Sequence, residues 1–150
     1  VMSRDTTRVQ TCETYQGMLG VLKMGAIIGR PRNYGGVYHC DGVMFKFYSG
    51  NDFSGLVALV FNRDIILPAD ITSRYGTEVS TSEWNAFIKK EGNDALIVTV
   101  RPISLLNLEK LVINLRVINN LEDSDDDEIT KEKVYEDVPK EYHKFLHFIE

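Results

Sequence analysis

The sequence predicts an α+β fold in which antiparallel β-sheets are backed by helices. Several short segments alternate apolar and polar residues with a period of two, and other segments place apolar residues at i, i+3 and i+4. The two halves of the chain also resemble each other, which predicts a tandem strands-then-helix repeat with pseudo-two-fold symmetry. Hydrophobic residues make up 43% of the 150 residues and charged residues 26%, which excludes a collagen, a coiled coil and a wholly disordered chain.

The domain organisation follows from where the periodicity is strong. Residues 1–22 have weak periodicity, so we expect them to form an N-terminal arm with at most one short strand. Residues 23–150 are expected to form a single domain made of two repeats, 23–92 and 93–150. Because units of this size bury little core alone, the two repeats should pack together.

Strands are predicted in the first repeat by apolar patterning. Residues 23–36 hold a short apolar run in a glycine-rich, basic context, which indicates a strand leading into a turn, and the glycine spacing matches no phosphate-binding motif. Residues 43–48 alternate as a half-buried strand does, and the continuously apolar residues 56–61 predict a central strand. Arg63, at the end of this second strand, shares by parity a face with Val57, Leu59 and Phe61. Residues 65–67 are a further short candidate.

A helix is predicted next, starting at Ser80 or Thr81, with an apolar stripe formed by Trp84, Phe87 and Ile88. Gly92 ends this helix.

The second repeat is predicted to contain two strands and a helix. Residues 95–101 and 111–119 alternate apolar residues along one face, and Pro139 is placed to begin a helix. The apolar stripe of this helix is formed by Tyr142, Phe145, Leu146 and Ile149. The repeat aligns residues 56–62 with 111–117, and 78–89 with 137–146.

Charge is distributed unevenly along the chain. The 17 Lys and Arg residues against 22 Asp and Glu residues give a formal net charge of −5, yet the first third of the chain is net basic. The acidic run at 122–128 predicts a solvated surface loop, and the alternatives are a decoy that competes with nucleic acid for the basic face or a docking site for a basic partner. Net acidity argues against tight non-specific binding to duplex DNA.

Cysteine content and hydropathy indicate the compartment. The two cysteines, Cys12 and Cys40, are too few for a disulfide scaffold and favour a reduced, intracellular location. The longest apolar runs fall short of the roughly 18–20 residues that a membrane span needs, and residues 1–5 do not resemble the apolar core of a signal peptide. We therefore expect an intracellular protein without membrane contact.

Residues 43–90 resemble a family of single-stranded-DNA-binding transcriptional coactivators, positive cofactor four, and its tandem relatives, the Whirly proteins. The matching positions are Phe45, Lys46, Phe47 and Tyr48, then 53–55, the strand at 56–62 with Arg63, and 76–80 leading to Trp84. Residues 95–150 resemble a second copy. The resemblance implies a curved antiparallel sheet backed by helices, single strands laid across it, and two units that face each other, hence a homo-oligomer. The chain departs from the family in lacking the lysine-rich Whirly strand motif, in its net acidity and in its acidic second connection.

Candidate binding residues follow from how single strands are bound. Unpaired bases stack on exposed aromatic rings, and Lys or Arg side chains follow the phosphates. The candidate stacking residues are Tyr34, Tyr38 and Tyr48. The candidate phosphate contacts are Lys23, Arg30, Arg32, Lys46, Arg63, Arg101 and Arg116. Parity predicts three pairs whose two members share a sheet face: Lys46 with Tyr48, Arg101 with Thr99, and Arg116 with Asn114. The alternative at each position is a half-buried core tyrosine or an ordinary surface arginine.

The sequence indicates a protein that is not an enzyme and needs no metal or cofactor. His143 and His147 are four residues apart, a spacing that binds metal on a helix, but the glutamate of the zinc-protease signature is missing between them, which favours a surface pair. His39 and Cys40 are adjacent on a predicted strand and would point to opposite faces.

The predicted function is binding of single-stranded nucleic acid, DNA rather than RNA, in replication, recombination or transcription. The alternative is a non-enzymatic protein-interaction or structural subunit, such as a viral factor, that docks a partner through residues 122–128.

Overall fold

A computed structural model describes residues 7–28, 31–34, 37–40, 43–48, 50–66, 97–98, 102–120 and 128–150. The strands in these ranges are β1 (Arg8–Glu13), β2 (Ala26–Ile27), β3 (Pro31–Tyr34), β4 (Val37–Cys40), β5 (Met44–Phe47), β6 (Val57–Asn62), β7 (Ile97–Val98), β8 (Ile103–Ser104), β9 (Leu108–Asn114) and β10 (Leu146–Ile149). The α-helices are α1 (Tyr15–Met24), α2 (Leu115–Ile118) and α3 (Lys131–Asp137). Short 3-10 segments occupy Gly50–Asp52, Arg63–Ile65, Leu105–Asn107 and Lys140–Phe145.

The fold is α+β, as predicted. The main sheet has six strands in the order β10-β9-β6-β1-β5-β7. Its neighbouring strands are antiparallel except β9 and β10, which are parallel. Parallel neighbours need a crossover connection, and the chain between β9 and β10 supplies one through α2 and α3. Two further pairs, β2 with β8 and β3 with β4, are antiparallel.

The sheet has a helix-covered face and an opposite face. Fully buried side chains of the helix-covered face, among them Phe61 and Leu111, share one core with Met18 of α1 and Val134 of α3. On the opposite face Ala58, Val60 and Val112 are also fully buried and pack with Phe53. Strand β6 is therefore buried on both sides, which confirms the predicted central strand.

The prediction for β5 is also confirmed. Phe45 and Phe47 are buried while Lys46 between them is exposed, as the period of two requires.

Residues 8–22 lie in the core and not in the arm that the sequence indicates. Strand β1 lies between β6 and β5, and α1 follows it directly. The Thr14 hydroxyl accepts a hydrogen bond from the Gly17 amide at 3.0 Å and so caps α1. Gly25, at a φ of 75°, ends the helix. The weak alternation of β1 arises because Gln10 and Thr11 are buried although they are polar.

The strand predicted at 111–119 is too long. β9 ends at Asn114, and α2 begins at Leu115. The Asn114 side chain accepts a hydrogen bond from the Val117 amide at 3.4 Å, while its own amide group donates to the Phe53 carbonyl at 3.2 Å. An asparagine that caps a helical turn competes with continuation of a strand. Of the strand predicted at 95–101, the structure describes Ile97–Val98 as β7.

The helix predicted from Pro139 is wrong. A 3-10 segment spans Lys140–Phe145, and β10 follows and pairs with residues Leu111 to Asn114 of β9. The backbone of β9 offers an unoccupied edge, and pairing with it satisfies the hydrogen-bonding groups that a helix would otherwise satisfy internally. Helix α3 lies instead before Pro139, in a segment for which the sequence predicts only a connection. The Thr130 hydroxyl caps this helix.

Several predicted features lie outside the described residues: the helix from Ser80 or Thr81 with Trp84, and all of the acidic run except Glu128. The duplication, which needs that helix, therefore stays a prediction. In the described ranges, none of the helices is both long and apolar enough to span a bilayer.

Helices α1 and α3 are joined by a polar contact that makes a testable prediction. The Tyr15 hydroxyl donates to the Asp137 carboxylate at 2.7 Å. Burial, followed by this hydrogen bond and the charge of Asp137, raises the pKa of Tyr15 far above its ordinary value. We expect Tyr15→Phe to lower the free energy of unfolding at pH 7 by about 1–2 kcal/mol, measured by urea denaturation.

The same contact predicts a pH dependence. The folded protein binds the phenol proton more tightly than the unfolded chain, so this contribution is complete below the ordinary tyrosine pKa of about 10 and declines as the pH rises above it. The stability difference between the natural protein and Tyr15→Phe should therefore shrink above pH 10. A difference that stays constant into alkaline solution would contradict this role of Tyr15.

Candidate nucleic-acid interface

A polar row crosses the face of the sheet that is opposite the helices. The strand registers place Lys46 beside Gln10, Gln10 beside Val60, and Val60 beside Lys110. Side chains that are paired across neighbouring strands lie on the same face of a sheet. The two lysines therefore stand at opposite ends of one row that spans β5, β1, β6 and β9.

Tyr48 and Lys110 contact each other above this face of the sheet. The Lys110 ammonium lies 5.4 Å from the centre of the Tyr48 ring, a cation–π contact. Tyr48 directly follows β5 and Lys110 lies in β9, with β1 and β6 between these two strands, so the backbones are three inter-strand spacings or about 14 Å apart. Both side chains therefore extend over β1 and β6. We call Lys46, Tyr48 and Lys110 the lysine–tyrosine surface.

The charge of this surface is positive. Lys46 is exposed and Lys110 is half-buried, and neither forms an ion pair with another described residue. At the same end of the sheet, Arg8 is neutralised by Glu109, with 2.7 Å between Nε and Oε2. Within this row, the two lysines therefore supply the positive charge that is available to an anion.

One cysteine, Cys12, also lies on this face, where it is paired with Ala58. Partial burial raises the pKa of the Cys12 thiol, and the Lys46 ammonium offsets only part of that shift. A thiol that keeps its proton is a poor nucleophile.

The structure brings together only part of the predicted site. Lys46 and Tyr48 lie on one face, as parity predicts. Lys23 is exposed in the last turn of α1, on the helix layer behind the sheet. β6 ends at Asn62, and Arg63 opens a 3-10 segment, so Arg63 leaves the strand face that parity assigned to it. The predicted pairing of Arg116 with Asn114 is also wrong, because Arg116 lies in α2.

The other predicted residues lie elsewhere. The hairpin of β3 and β4 contains Arg32, Tyr34 and Tyr38, with Arg32 paired to His39 in the strand register. Arg30 and Arg101 lie outside the described residues. The sequence missed Lys110, because the predicted strand began one residue after it. Extending the alternation back from Val112 would have placed Lys110 on the polar face.

The two candidate metal ligands are separated by the fold. His143 lies in a 3-10 segment, where its Nε2 is 2.7 Å from the Val138 carbonyl oxygen, and its ring packs edge-on against Tyr135. His147 lies on β10. Across the described ranges, His, Cys, Asp and Glu side chains nowhere gather in a group of three that could hold a metal ion.

Comparison with protein-family models, with curated proteins and with solved structures finds no match for this chain. Membership of the positive cofactor four and Whirly families stays a prediction. So does partner docking through residues 122–128, since most of that run lies outside the described residues.

Proposed function

We propose that the protein binds single-stranded nucleic acid, with DNA as the substrate to test first, on the lysine–tyrosine surface. The supporting observation is that two lysines and an aromatic ring lie on one sheet face, where the lysines stand at the two ends of one row and the Lys110 ammonium contacts the Tyr48 ring. This combination provides both elements of single-strand binding, a ring on which a base stacks and cations for the phosphates.

Each residue has a separate part in this proposal. Tyr48 is half-buried, packs against the cluster that contains Phe53 and Val60, and contacts the Lys110 ammonium. A base adds its flat face to the part of the ring that is still exposed. Lys46 and Lys110 then contact phosphates on either side of the stacked base. The nucleic-acid strand crosses the β-strands of the sheet and does not run along a groove between them.

The overall charge limits the affinity. With a net charge of −5, the protein repels a polyanion at long range, and only the local lysines attract it. We therefore expect binding near micromolar concentrations that weakens as salt is added. Involvement in replication, recombination or transcription is proposed on the same basis, because each process exposes single strands.

Fluorescence anisotropy tests the proposal. A labelled oligothymidine of about 15 nucleotides is titrated with the full chain at low and at moderate salt. We expect salt-sensitive binding near micromolar protein. Absence of salt-sensitive binding at these concentrations would remove the proposal.

The lysines are expected to set the salt dependence. Neutralising one phosphate contact on a single strand changes the slope of log K against log salt by about 0.7. Lys46→Gln and Lys110→Gln should each reduce the slope by about this amount, measured by anisotropy at several salt concentrations. Lys140→Gln, which removes an exposed lysine from the 3-10 segment before β10, is the matched control and should leave the slope unchanged. If the natural protein and the three variants had equal slopes, the nucleic acid would have to bind on another part of the protein.

A further inference from the structure

A second binding feature lies on the same sheet face, beyond Phe53. A cleft of about 470 Å³ is lined by residues of the loop before β6, of α2 and of β10, including Asp52, Phe53, Ser54, Arg116, His147 and Ile149. Clefts of about 300–1,000 Å³ hold small-molecule ligands. The cleft lies where β9 ends at Asn114, about 13 Å along that strand from Lys110.

Arg116 is held in place within this cleft. Its Nε and Nη2 atoms both donate to the main-chain oxygen of Glu150, at 3.2 and 2.8 Å. The Nη1 side of the guanidinium has no partner among the described residues. The Glu150 carboxylate is itself paired with Lys131 at 2.9 Å, so it competes less for Arg116. A guanidinium fixed along one edge presents its other edge as a ready-made fork for an anion.

The other walls suit an anion attached to an apolar group. His147 faces the same side as Val112, its partner in the β9–β10 register, and offers a ring N–H. Ser54 is exposed and offers a hydroxyl donor. Phe53 and Ile149 supply apolar surface for the remainder of a ligand. The carboxylates of Asp52 and Glu150 also line the cleft. Lys131 neutralises that of Glu150, whereas Asp52 disfavours an anion on its own side, so the charged group of a ligand belongs beside Arg116.

We infer that this cleft binds a phosphate monoester. Such a group carries nearly two negative charges at neutral pH and three acceptor oxygens, which match the free edge of Arg116 together with the donors of His147 and Ser54. This phosphate monoester is either the 5′-phosphate of a nucleic-acid strand bound on the lysine–tyrosine surface or a free nucleoside monophosphate. The first possibility rests on the proposed function. In the first arrangement, the protein distinguishes the end of a strand from its interior.

Two pairs of matched ligands test this inference on the full chain. Anisotropy compares one labelled oligothymidine with and without a 5′-phosphate, the label being at the 3′ end. Ligand-observed NMR compares adenosine monophosphate with adenosine. We expect the 5′-phosphate to tighten binding at least tenfold, because a single charge-assisted hydrogen bond to Arg116 is sufficient for a change of that size. Arg116→Gln should abolish this preference, and Arg116→Lys should restore only part of it, because lysine lacks the fork.

The outcomes separate this inference from the proposed function. A preference for the 5′-phosphate that is lost in Arg116→Gln supports binding of the strand end, and Lys140→Gln is the control that should retain it. Adenosine monophosphate binding that requires Arg116, without a preference between the oligonucleotides, supports the free nucleotide as the source. If the 5′-phosphate changed neither the binding of the oligothymidine nor that of adenosine, the inference would be overturned. Salt-sensitive binding of both oligonucleotides would then leave the proposed function intact. If neither oligonucleotide binds, the proposed function fails and the adenosine pair alone decides the inference.

Discussion

Replacing Phe61 with alanine is expected to lower the free energy of unfolding by about 3–5 kcal/mol. Phe61 is fully buried on β6 and packs edge-to-face against Phe45, with 5.9 Å between ring centres. Truncation removes the apolar surface of the ring from the core and leaves a cavity in the middle of the sheet, where backbone hydrogen bonds on both sides prevent collapse. Urea denaturation followed by circular dichroism measures the loss.

Two control variants define the cause of this effect. Phe61→Leu fills much of the cavity and should destabilise the protein less than alanine does. Leu106→Ala removes a side chain that is 92% exposed, so its effect should stay within about 0.5 kcal/mol. If Phe61→Ala destabilised the protein no more than Leu106→Ala, β6 would not be the centre of the core.

The strands that could be predicted from sequence are those whose surroundings match their own pattern. Phe45 and Phe47 face the helix layer while Lys46 faces outward, so local alternation reports burial directly. β6 is apolar at every position from Val57 to Phe61 because both of its faces are covered.

The elements that were missed depend on distant residues. Gln10 and Thr11 of β1 are buried because strands from later in the chain enclose them on both sides, and no local period records that. β10 has residues whose spacing also fits a helix, and only the free edge of β9 makes them a strand. Local sequence cannot reveal an edge that is built about 30 residues earlier.

Part of the candidate site could also be predicted from local sequence, and part of it depends on distant residues. Lys46 and Tyr48 are two residues apart on one strand, so parity alone places them together. Lys110 joins them through a sheet order that the sequence does not state, with two strands in between. Its position also depends on a register shift after Val60, where Phe61 pairs with Leu108 and Glu109 is passed over.

Removing the aromatic character of Tyr48 is expected to weaken oligonucleotide binding by about 5- to 150-fold, which corresponds to the 1–3 kcal/mol that stacking of one base supplies. Tyr48→Leu is the informative substitution, because leucine still packs against the apolar cluster that contains Phe53 and Val60 while presenting no flat ring to a base. Tyr48→Phe keeps the ring and should bind within about twofold of the natural protein. Anisotropy at a fixed, low salt concentration measures all three proteins, and near-ultraviolet circular dichroism checks that their folds agree.

The salt dependence distinguishes stacking from charge. Tyr48→Leu removes no charge, so its affinity should fall while its slope of log K against log salt stays that of the natural protein. The lysine variants should show the opposite pattern, a reduced slope at a smaller cost in affinity. A reduced slope in Tyr48→Leu would mean that the ring acts by positioning the Lys110 ammonium, which lies 5.4 Å from its centre, and not by stacking. Unchanged affinity in Tyr48→Leu would exclude this ring from the interface, and the single strand would then have to bind on another part of the protein.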